Sequence, residues 1–547
     1  MKEVKKIRGV GVTSLKVGAR LHFIKKEKSS IGDKDKPSSP ERELERFGKA
    51  KSRATDQLID LEERTRKVIG KDEAEIFEIH RMLLDDEDLN QAILEKIDKG
   101  SSCEGAIEYA CLEYSNMLKS LDDPYLSERA SDILDIKEQL LSSLDEKEKK
   151  DVKIDTSPYI LVAEDLTPTE TARLEKDKIL GFVTFGGSSS SHSAILARAM
   201  GIPALVGTGA IDKVYDGAYA LLDASDGTLI INPTNEEKDR FLEQRDKEER
   251  IAREHERYLR SIMNKPAVTR SGYKIMIYAN IESSREISGA ISNGAEGIGL
   301  LRSEMLYMSK KSLPTEEELF LSYKEIAEKM EGRRVIIRTL DIGADKQAPY
   351  FNIPKEENPA LGLRGVRVCL RDKEMFKSQL RAILRASYYG RVSVMIPMIV
   401  SVSEIRECKA LINDAMRELR ERKESFDEKI EIGIMIETPA SAIMSEELAK
   451  EVDFFSVGTN DLSQYTLATD RQNPSVSHIC EENAEPVLRL IKMATDAIHK
   501  RGGWIGVCGE MAADLSLTQS LAKIGVDELS VSVPYLLGIR GKVSECI

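Results

Sequence analysis

Polar side chains follow five short apolar segments in the second half of the chain. In chain order, they are Arg302-Ser303-Glu304, Arg338 with Asp341, Glu437, Asn460-Asp461 with Arg471, and Cys508-Gly509-Glu510. Arginine offers forked donors that match carboxylate and phosphate oxygens, while paired carboxylates hold a hard cation such as Mg2+. If these segments are strands that end at one edge, the groups form a pocket for an anionic, metal-bound ligand. Each group taken alone is more often a surface charge or an ion pair at the mouth of a barrel.

His192 lies in a different kind of segment. It follows the strand-like sequence GFVTF and a run of glycine and serine residues, and it precedes the helix-like sequence SAILARAM. A helix N-terminus suits a phosphoryl group, and a neutral imidazole is a good nucleophile near pH 7. A histidine before a helix is also common as a cap or as a core residue, so residue type and spacing leave both interpretations open.

The second half of the chain must position the first set of groups. Residues 264–547 contain eight short segments rich in Val and Ile, separated by amphipathic stretches. The segments are KIMIYAN, GIGLL, RVIIRT, VSVMIPM, IGIMIE, FFSVG, WIGVC and ELSVSV. This alternation, over a length close to the usual ~250 residues, predicts a (β/α)8 barrel with its reactive groups at the carboxyl ends of the strands.

The N-terminal half has a different pattern. Residues 38–148 carry apolar side chains at three- and four-residue steps, which predicts a helical bundle. Residues 1–37 and 149–232 are strand-rich and are predicted to form one α/β domain into which the bundle is inserted. The charged segment 233–263 is typical of an exposed linker helix. The acidic stretch Asp85–Asp88 fits a solvated turn and a docking surface equally well.

Composition argues against several classes of protein. A formal net charge of -13 disfavours broad binding to nucleic acid or to anionic lipid. The seven cysteines are scattered without a C-x-x-C pair, as in reduced cytosolic proteins. The N-terminal segment lacks the apolar core of a secretory signal, and no run approaches the ~18 apolar residues of a membrane span. We therefore expect a cytoplasmic protein without nucleic-acid or membrane binding.

Several segments resemble the motifs of phosphoenolpyruvate-protein phosphotransferase, enzyme I of the bacterial sugar phosphotransferase system. They are SHSAILARAMGIPALVGTG, GAEGIGLLRSE, VIIRTLDIGADK, KEENPALGLRGVR, FFSVGTNDLSQYTLATDRQN and GVCGEMAAD. Their order and spacing are those of the family, and the resemblance covers nearly the whole chain. It implies a multidomain α/β protein with a C-terminal (β/α)8 barrel and a swivelling N-terminal phosphohistidine domain that carries an all-α insert.

The resemblance also implies an activity. The chain would transfer the phosphoryl group of phosphoenolpyruvate to His192 and then to the histidine-containing phosphocarrier protein, releasing pyruvate. Cys508 would protonate the methylene carbon of the enolate, and Glu437 and Asp461 would bind Mg2+. The residues implied to contact phosphoenolpyruvate are Arg302, Arg338, Asn460, Asp461 and Arg471. The helical insert would dock the carrier, and the barrel would form a homodimer.

Three departures from the family pattern affect turns and not chemical groups. Ser14-Leu15-Lys16 replaces a Ser-Pro-Gly turn. Before the histidine, Ser188 and Ser190 stand where glycine and threonine are common, and Ala344 replaces a usual glycine. A glycine lost from a tight turn changes the local backbone or its flexibility. We therefore expect the activity to be retained and its rate to be the property affected.

Three other functions share some of these features. Pyruvate phosphate dikinases and phosphoenolpyruvate synthases have a similar phosphohistidine domain and barrel, but they need a nucleotide-binding domain, and residues 38–148 lack a glycine-rich phosphate loop. A paralogue that signals nitrogen status usually carries a sensory domain before the first strand, for which Met1–Arg8 leaves no room. An inactive binding scaffold is disfavoured because every catalytic and metal-binding residue type named above is present.

Overall fold

In the computed structural model of the chain, the described residues fall into two compact units, Met1–Ile251 and Ala252–Ile547. The described residues are 3–24, 39–68, 71–120, 124–144, 157–164, 178–187, 194, 197–198, 201–308, 310, 312–343, 349–351, 353–354, 356–471, 473 and 475–547. None of the helices in these ranges combines the length and the apolar character needed to span a bilayer.

The first unit contains the predicted helical bundle. Its helices are α1 Pro40–Val68, α2 Lys71–Leu84, α3 Glu87–Asp98, α4 Cys103–Ser120 and α5 Pro124–Leu144. The three- and four-residue spacing of their apolar side chains produces one shared core, which includes Phe47, Leu58, Phe77 and Ile107. Within the acidic stretch, Asp86 caps α3 by accepting a hydrogen bond of 2.9 Å from the Leu89 amide.

The bundle is inserted into an eight-stranded sheet. The strands are β1 Lys5–Arg8, β2 Val10–Gly11, β3 Lys16–Phe23, β4 Tyr159–Ala163, β5 Ile179–Thr184, β6 Ala204–Val206, β7 Tyr219–Asp223 and β8 Thr228–Ile231. Their order is β1-β8-β7-β3-β4-β5-β6-β2. β3 and β4 pair in parallel, with Arg20 opposite Tyr159, although the bundle separates them in sequence. The chain therefore leaves the sheet after β3 and re-enters it beside the strand that it left.

A single long helix, α6, extends over Asn235–Ile262 and has no buried residue. Its start is fixed by a capping box, in which Thr234 Oγ1 accepts a hydrogen bond from the Glu237 amide and the Glu237 carboxylate accepts one from the Thr234 amide. The charged sequence predicted a helix here, and the structure has one.

The second unit is the predicted closed barrel. Its strands are β10 Lys274–Ile281, β11 Gly297–Arg302, β12 Arg334–Arg338, β13 Val392–Ile396, β14 Glu431–Ile436, β15 Phe454–Val457, β16 Trp504–Val507 and β17 Glu528–Ser532, preceded by the two-residue β9 Ala267–Val268. Neighbouring barrel strands are parallel, and β10 pairs with both β11 and β17, which closes the circle. Each of the eight predicted segments forms one strand, so the (β/α)8 prediction is confirmed.

Helices surround the barrel and cover its outer face. They are α7 Ile287–Ser292, α8 Met305–Met308, α9 Glu316–Lys329, α10 Val366–Arg371, α11 Lys373–Ser387, α12 Val402–Glu421, α13 Pro439–Ile443, α14 Ser445–Leu448, α15 Thr459–Leu467, α16 His478–Glu482, α17 Ala484–His499, α18 Thr518–Ile524 and α19 Leu536–Glu545. The main core lies between these helices and the strands, while a smaller apolar cluster that includes Leu300, Ile336, Met395 and Met435 fills the barrel interior. The barrel is therefore a packed scaffold that can hold side chains rigidly at its rim.

Candidate active site

The carboxyl ends of four barrel strands bring together the groups that the sequence singled out. Arg338 is the last residue of β12, and Glu437 directly follows β14. Asp461 lies in the first turn of α15, just after β15, and Cys508 directly follows β16. Because the barrel strands are all parallel, these positions lie at the same end of the barrel.

Arg338 is held by carboxylates. Its Nη1 lies 3.0 Å from Asp341 Oδ2, and its Nη2 donates to Glu304. Burial alone would lower the pKa of Arg338, but these two carboxylates outweigh it and hold that pKa above its usual value. The Nε of Arg338 is buried and has no hydrogen-bond partner among the described residues. The Nε–H of Arg338 is therefore available to a ligand, while the two carboxylates hold the guanidinium group in place.

Arg364 lies in the same cluster of charged side chains as Arg338, although no pattern in the sequence singled it out. Its Nη1 donates to Asp461 Oδ1 at 3.0 Å and to the Tyr465 hydroxyl at 3.1 Å, and its Nη2 lies 3.4 Å from Asp341 Oδ2. Gly365, at φ 58°, lets Met398 and Asp341 pack against the backbone next to Arg364, because a Cβ there would stand 2.8 Å from the Met398 side chain and 3.3 Å from Asp341 Oδ1. Arg364 does not lie at the end of a strand, so only its position inside the motif KEENPALGLRGVR could have identified it.

Glu437 is the most deeply buried carboxylate of the site, with no exposed surface. One oxygen, Oε1, accepts a hydrogen bond of 2.5 Å from the Met398 amide. The other, Oε2, has no partner among the described residues. Burial raises the pKa of Glu437 to about 8, and the carboxylates of Asp341 and Asp461 add to that effect against Arg338 and Arg364.

This carboxylate arrangement fits a divalent cation. The unpartnered Glu437 Oε2 is an oxygen donor that costs free energy unless something pairs with it. Gly458 leaves room beside it, because a Cβ at that position would stand only 2.8 Å from Oε2. Within the described ranges, no group of three or more His, Cys, Asp or Glu residues could by itself hold a metal ion. A hard divalent cation such as Mg2+ is commonly bound through one or two carboxylates together with substrate oxygens.

Three predicted substrate contacts lie at the rim, where internal carboxylates pair with them. Arg302 Nη1 lies 2.9 Å from Glu282 Oε1. Asn460 donates to Glu510 Oε1 at 3.0 Å and accepts from the Glu510 amide at 2.7 Å. Arg471 is exposed, and its Nη1 lies 3.7 Å from the same Glu510 oxygen. An anionic ligand would have to compete with Glu282 and Glu510 for these donors.

Cys508 lies at the bottom of the site, where it packs against the apolar cluster of the barrel interior. Its Sγ accepts a hydrogen bond from Ser456 Oγ at 3.3 Å and donates one to the Val457 carbonyl at 3.5 Å. Burial raises the pKa of Cys508 to about 11, against the opposing effects of the Ser456 hydrogen bond and the charge of Arg338. The group is therefore a thiol at neutral pH and has a proton to give.

His192 lies outside the described residues, as do Ser188, Ser190 and Ala344. The strand-like sequence before it forms β5, and Gly187, at φ 93°, ends the described segment that follows. The structure thus brings together Arg338, Glu437, Asp461 and Cys508, with Arg302, Asn460 and Arg471 around them. The contacts of His192 stay a prediction.

Comparisons with known proteins show similarity over most of the chain. Three family models match: PEP-utilising enzyme, N-terminal, over residues 8–129; its mobile domain over 155–227; and its PEP-binding domain over 256–546. A phosphoenolpyruvate-protein phosphotransferase of Priestia megaterium is 39% identical over 99% of this chain and 94% of its own length. One of Haemophilus influenzae is 45% identical over 90% and 85%. The NMR solution structure of an Enzyme I protein is 29% identical, covers 44% of this chain and 99% of its own, and has a TM-score of 0.38.

Proposed function

The chain belongs to the family of phosphoenolpyruvate-protein phosphotransferases, and from this premise we propose that it takes the phosphoryl group of phosphoenolpyruvate onto His192 and passes it to a histidine-containing phosphocarrier protein. This is the first step of the sugar phosphotransferase system, and we place it in the cytoplasm. One observation carries the proposal: guanidinium groups, an unpartnered carboxylate oxygen and a protonated thiol converge at one end of the barrel.

Substrate binding is assigned to the cationic groups of the barrel mouth. Phosphoryl transfer depends mainly on positioning and on neutralising charge. Arg338, whose Nε has no hydrogen-bond partner in the described part of the chain, and Arg302 supply donors for the phosphate and carboxylate oxygens, with Asn460, Asp461 and Arg471 as the other contacts. We assign Glu437 and Asp461 as ligands of Mg2+, which when bound would neutralise phosphate charge and hold the substrate in place.

Proton delivery is assigned to Cys508. As a nitrogen of His192 bonds to phosphorus, the bond from phosphorus to the enol oxygen breaks and the enolate of pyruvate is left. The Cys508 thiol gives its proton to the methylene carbon, which forms pyruvate and leaves a thiolate. The Ser456 hydroxyl, which donates to Sγ, and the nearby charge of Arg338 both favour that thiolate.

Each successive segment of the chain is assigned its own role. We assign residues 38–148 to carrier docking, residues 1–37 and 149–232 to the phosphohistidine domain, 233–263 to the linker helix and 264–547 to phosphoenolpyruvate binding and homodimer formation. His192 must serve both the barrel and the docked carrier, which one rigid arrangement could hardly allow. We therefore infer a swivel about the segments near 167–168, which lie outside the described residues, and near 232–236. At the second of these segments, Asn232 has a left-handed backbone conformation, with φ 51°.

The decisive experiment is direct labelling. Incubation of the protein with phosphoenolpyruvate and Mg2+ should place one acid-labile phosphoryl group on His192, detected by mass spectrometry, and release pyruvate. The His192→Ala variant should acquire no label from phosphoenolpyruvate or from the phosphorylated carrier. Acid-labile labelling of that variant would contradict the proposal.

A further inference from the structure

The barrel interior holds a buried carboxyl group that the proposed reaction does not use. Glu528, the first residue of β17, is only 2% exposed. Its Cα is paired with that of Gly506, and Cys508 lies two residues beyond Gly506. Since alternate residues of a strand face the same side, Glu528 and Ser530 share the interior with Gly506 and Cys508. Glu528 thus lies one layer of side chains below the thiol.

Two glycines make room for this carboxyl group. A Cβ on Gly299 would stand 2.1 Å from Glu528 Oε1 and 2.4 Å from Ser530 Oγ. A Cβ on Gly506 would stand 2.4 Å from Glu528 Oε2. Any side chain at either glycine would therefore displace the carboxyl group. Two barrel strands thus carry a glycine where they face one buried carboxyl group. This is unexpected if Glu528 serves only to fill space.

The carboxyl group has little to stabilise a charge. Its Oε2 is buried and has no hydrogen-bond partner among the described residues. The charged or titratable groups around it are Arg334, Asp527, Tyr278 and Cys508. The guanidinium of Arg334 is engaged elsewhere, 3.0 Å from Glu431 and 4.4 Å from the centre of the Trp504 ring. Burial raises the pKa of Glu528 to about 8, with Arg334 opposing and Asp527 adding to the effect.

Two hydrogen bonds connect the neighbouring Ser530 hydroxyl to the backbone of Cys508. Ser530 Oγ, which lies beside Glu528 Oε1, donates to Asn280 Oδ1 at 2.6 Å. Asn280 Nδ2 in turn donates to the Cys508 carbonyl at 3.0 Å. The side chain that shares the space beside Gly299 with Glu528 is therefore connected to the backbone of the residue assigned as the acid.

We propose that Glu528 is a positioning residue for proton delivery, which keeps an uncharged carboxyl group below Cys508 so that the thiol can release its proton to the enolate. The proposal rests on the proposed function. An ionised Glu528 would place a negative charge near the forming thiolate, which raises the pKa of the Cys508 thiol and makes it a weaker acid. Pyruvate formation should therefore slow as pH rises through the range in which Glu528 loses its proton.

The test compares the full-length wild type with Glu528→Gln, an uncharged variant of similar shape. We expect single-turnover pyruvate formation by the wild type to fall about three- to tenfold above about pH 8, the change for a thiol pKa raised by about one unit or more. Glu528→Gln should match the wild type at neutral pH and lack this alkaline decline. Glu418→Gln, which alters a carboxylate on the outer helix α12 that pairs with Lys377 and Arg381, should retain it. Phosphoryl exchange between His192 and the carrier should be unaffected in each protein.

Several results would overturn the proposal. They are an alkaline decline that persists in Glu528→Gln, an equal loss at every pH, or a loss in both half-reactions. Burial also raises the pKa of Glu437 to about 8, so infrared spectroscopy compares the wild type with Glu528→Gln. The wild type must show at neutral pH a protonated buried carboxyl band that disappears on alkaline titration and that the variant lacks. Its absence would also refute the proposal. A wild type that forms no pyruvate at any pH would instead contradict the proposed function.

Discussion

Replacing Cys508 with alanine removes the thiol whose proton we expect to reach the substrate carbon. The structure allows the effects on stability and on rate to be separated. The change deletes one buried sulfur, a loss of about 1 kcal/mol in the free energy of unfolding. It also leaves the Ser456 hydroxyl without the acceptor that lies 3.3 Å away, a further loss of about 1 kcal/mol or more. The variant should therefore fold.

The expected loss of rate is larger. Removal of a general acid typically lowers the rate by about 100- to 10,000-fold, which corresponds to about 3 to 5 kcal/mol of transition-state free energy. Cys508→Ser separates the two effects further, because a serine hydroxyl restores much of the volume and the hydrogen bond but is a far weaker acid. It should recover stability without recovering the rate.

The assay follows each half-reaction separately. Pyruvate release from phosphoenolpyruvate should be slow in both Cys508 variants, while phosphoryl exchange between His192 and the carrier should proceed at the wild-type rate. Cys369→Ala is the matched control, because Cys369 is also fully buried in the second unit but donates to the Leu340 carbonyl outside the barrel interior. If Cys508→Ala lost both half-reactions equally while folded, or if Cys369→Ala lost pyruvate release alone, the assignment would be refuted.

Three further predictions follow from the same structure. Arg364→Met should lower the free energy of unfolding by about 3 to 5 kcal/mol in denaturant titration, because it removes the cation that Asp341 and Asp461 share. The control Arg367→Met, at a half-buried arginine, should change the free energy of unfolding by less than about 1 kcal/mol. Glu437→Gln should abolish labelling by phosphoenolpyruvate at ordinary Mg2+ concentrations but spare exchange with the carrier; equal loss of both would argue against a metal role. A fragment ending near residue 260 should fold and exchange phosphoryl groups with the phosphorylated carrier, yet direct labelling of it by phosphoenolpyruvate would contradict the division of labour.

The barrel could be predicted because local sequence determines it. Each strand is a short run rich in Val and Ile, such as Val392–Ile396, whose residues are all buried. Strand ends are then known to within a residue or two, and the polar groups at those ends could be placed at one rim. Arg338, Glu437 and Cys508 were predictable for that reason. Arg364 was not, because it lies in an irregular segment where periodicity gives no position.

The sequence also could not predict which charged side chains pair with one another. The pairing of Arg302 with Glu282 and of Arg338 with Glu304 depends on distances between separate strands and loops. The departure at Lys16 is a similar case, since nothing local predicts that its ammonium lies 3.2 Å from Asp223 and 2.9 Å from Glu248. Lys16, which stands at the glycine position of the family pattern, therefore makes two ion pairs in the folded chain.

The charge balance of the site suggests how its ligands bind. Glu304, Asp341 and Asp461 pair with the guanidinium groups of Arg338 and Arg364, and the Glu437 carboxyl group lies beside them, so both signs of charge are present before any ligand arrives. A phosphate alone would meet these carboxylates, and a cation alone would meet the guanidinium groups. Each ligand therefore compensates the repulsion that the other would experience. We expect phosphoenolpyruvate and Mg2+ to raise each other's affinity in titration calorimetry, and independent binding of the two would refute this balance.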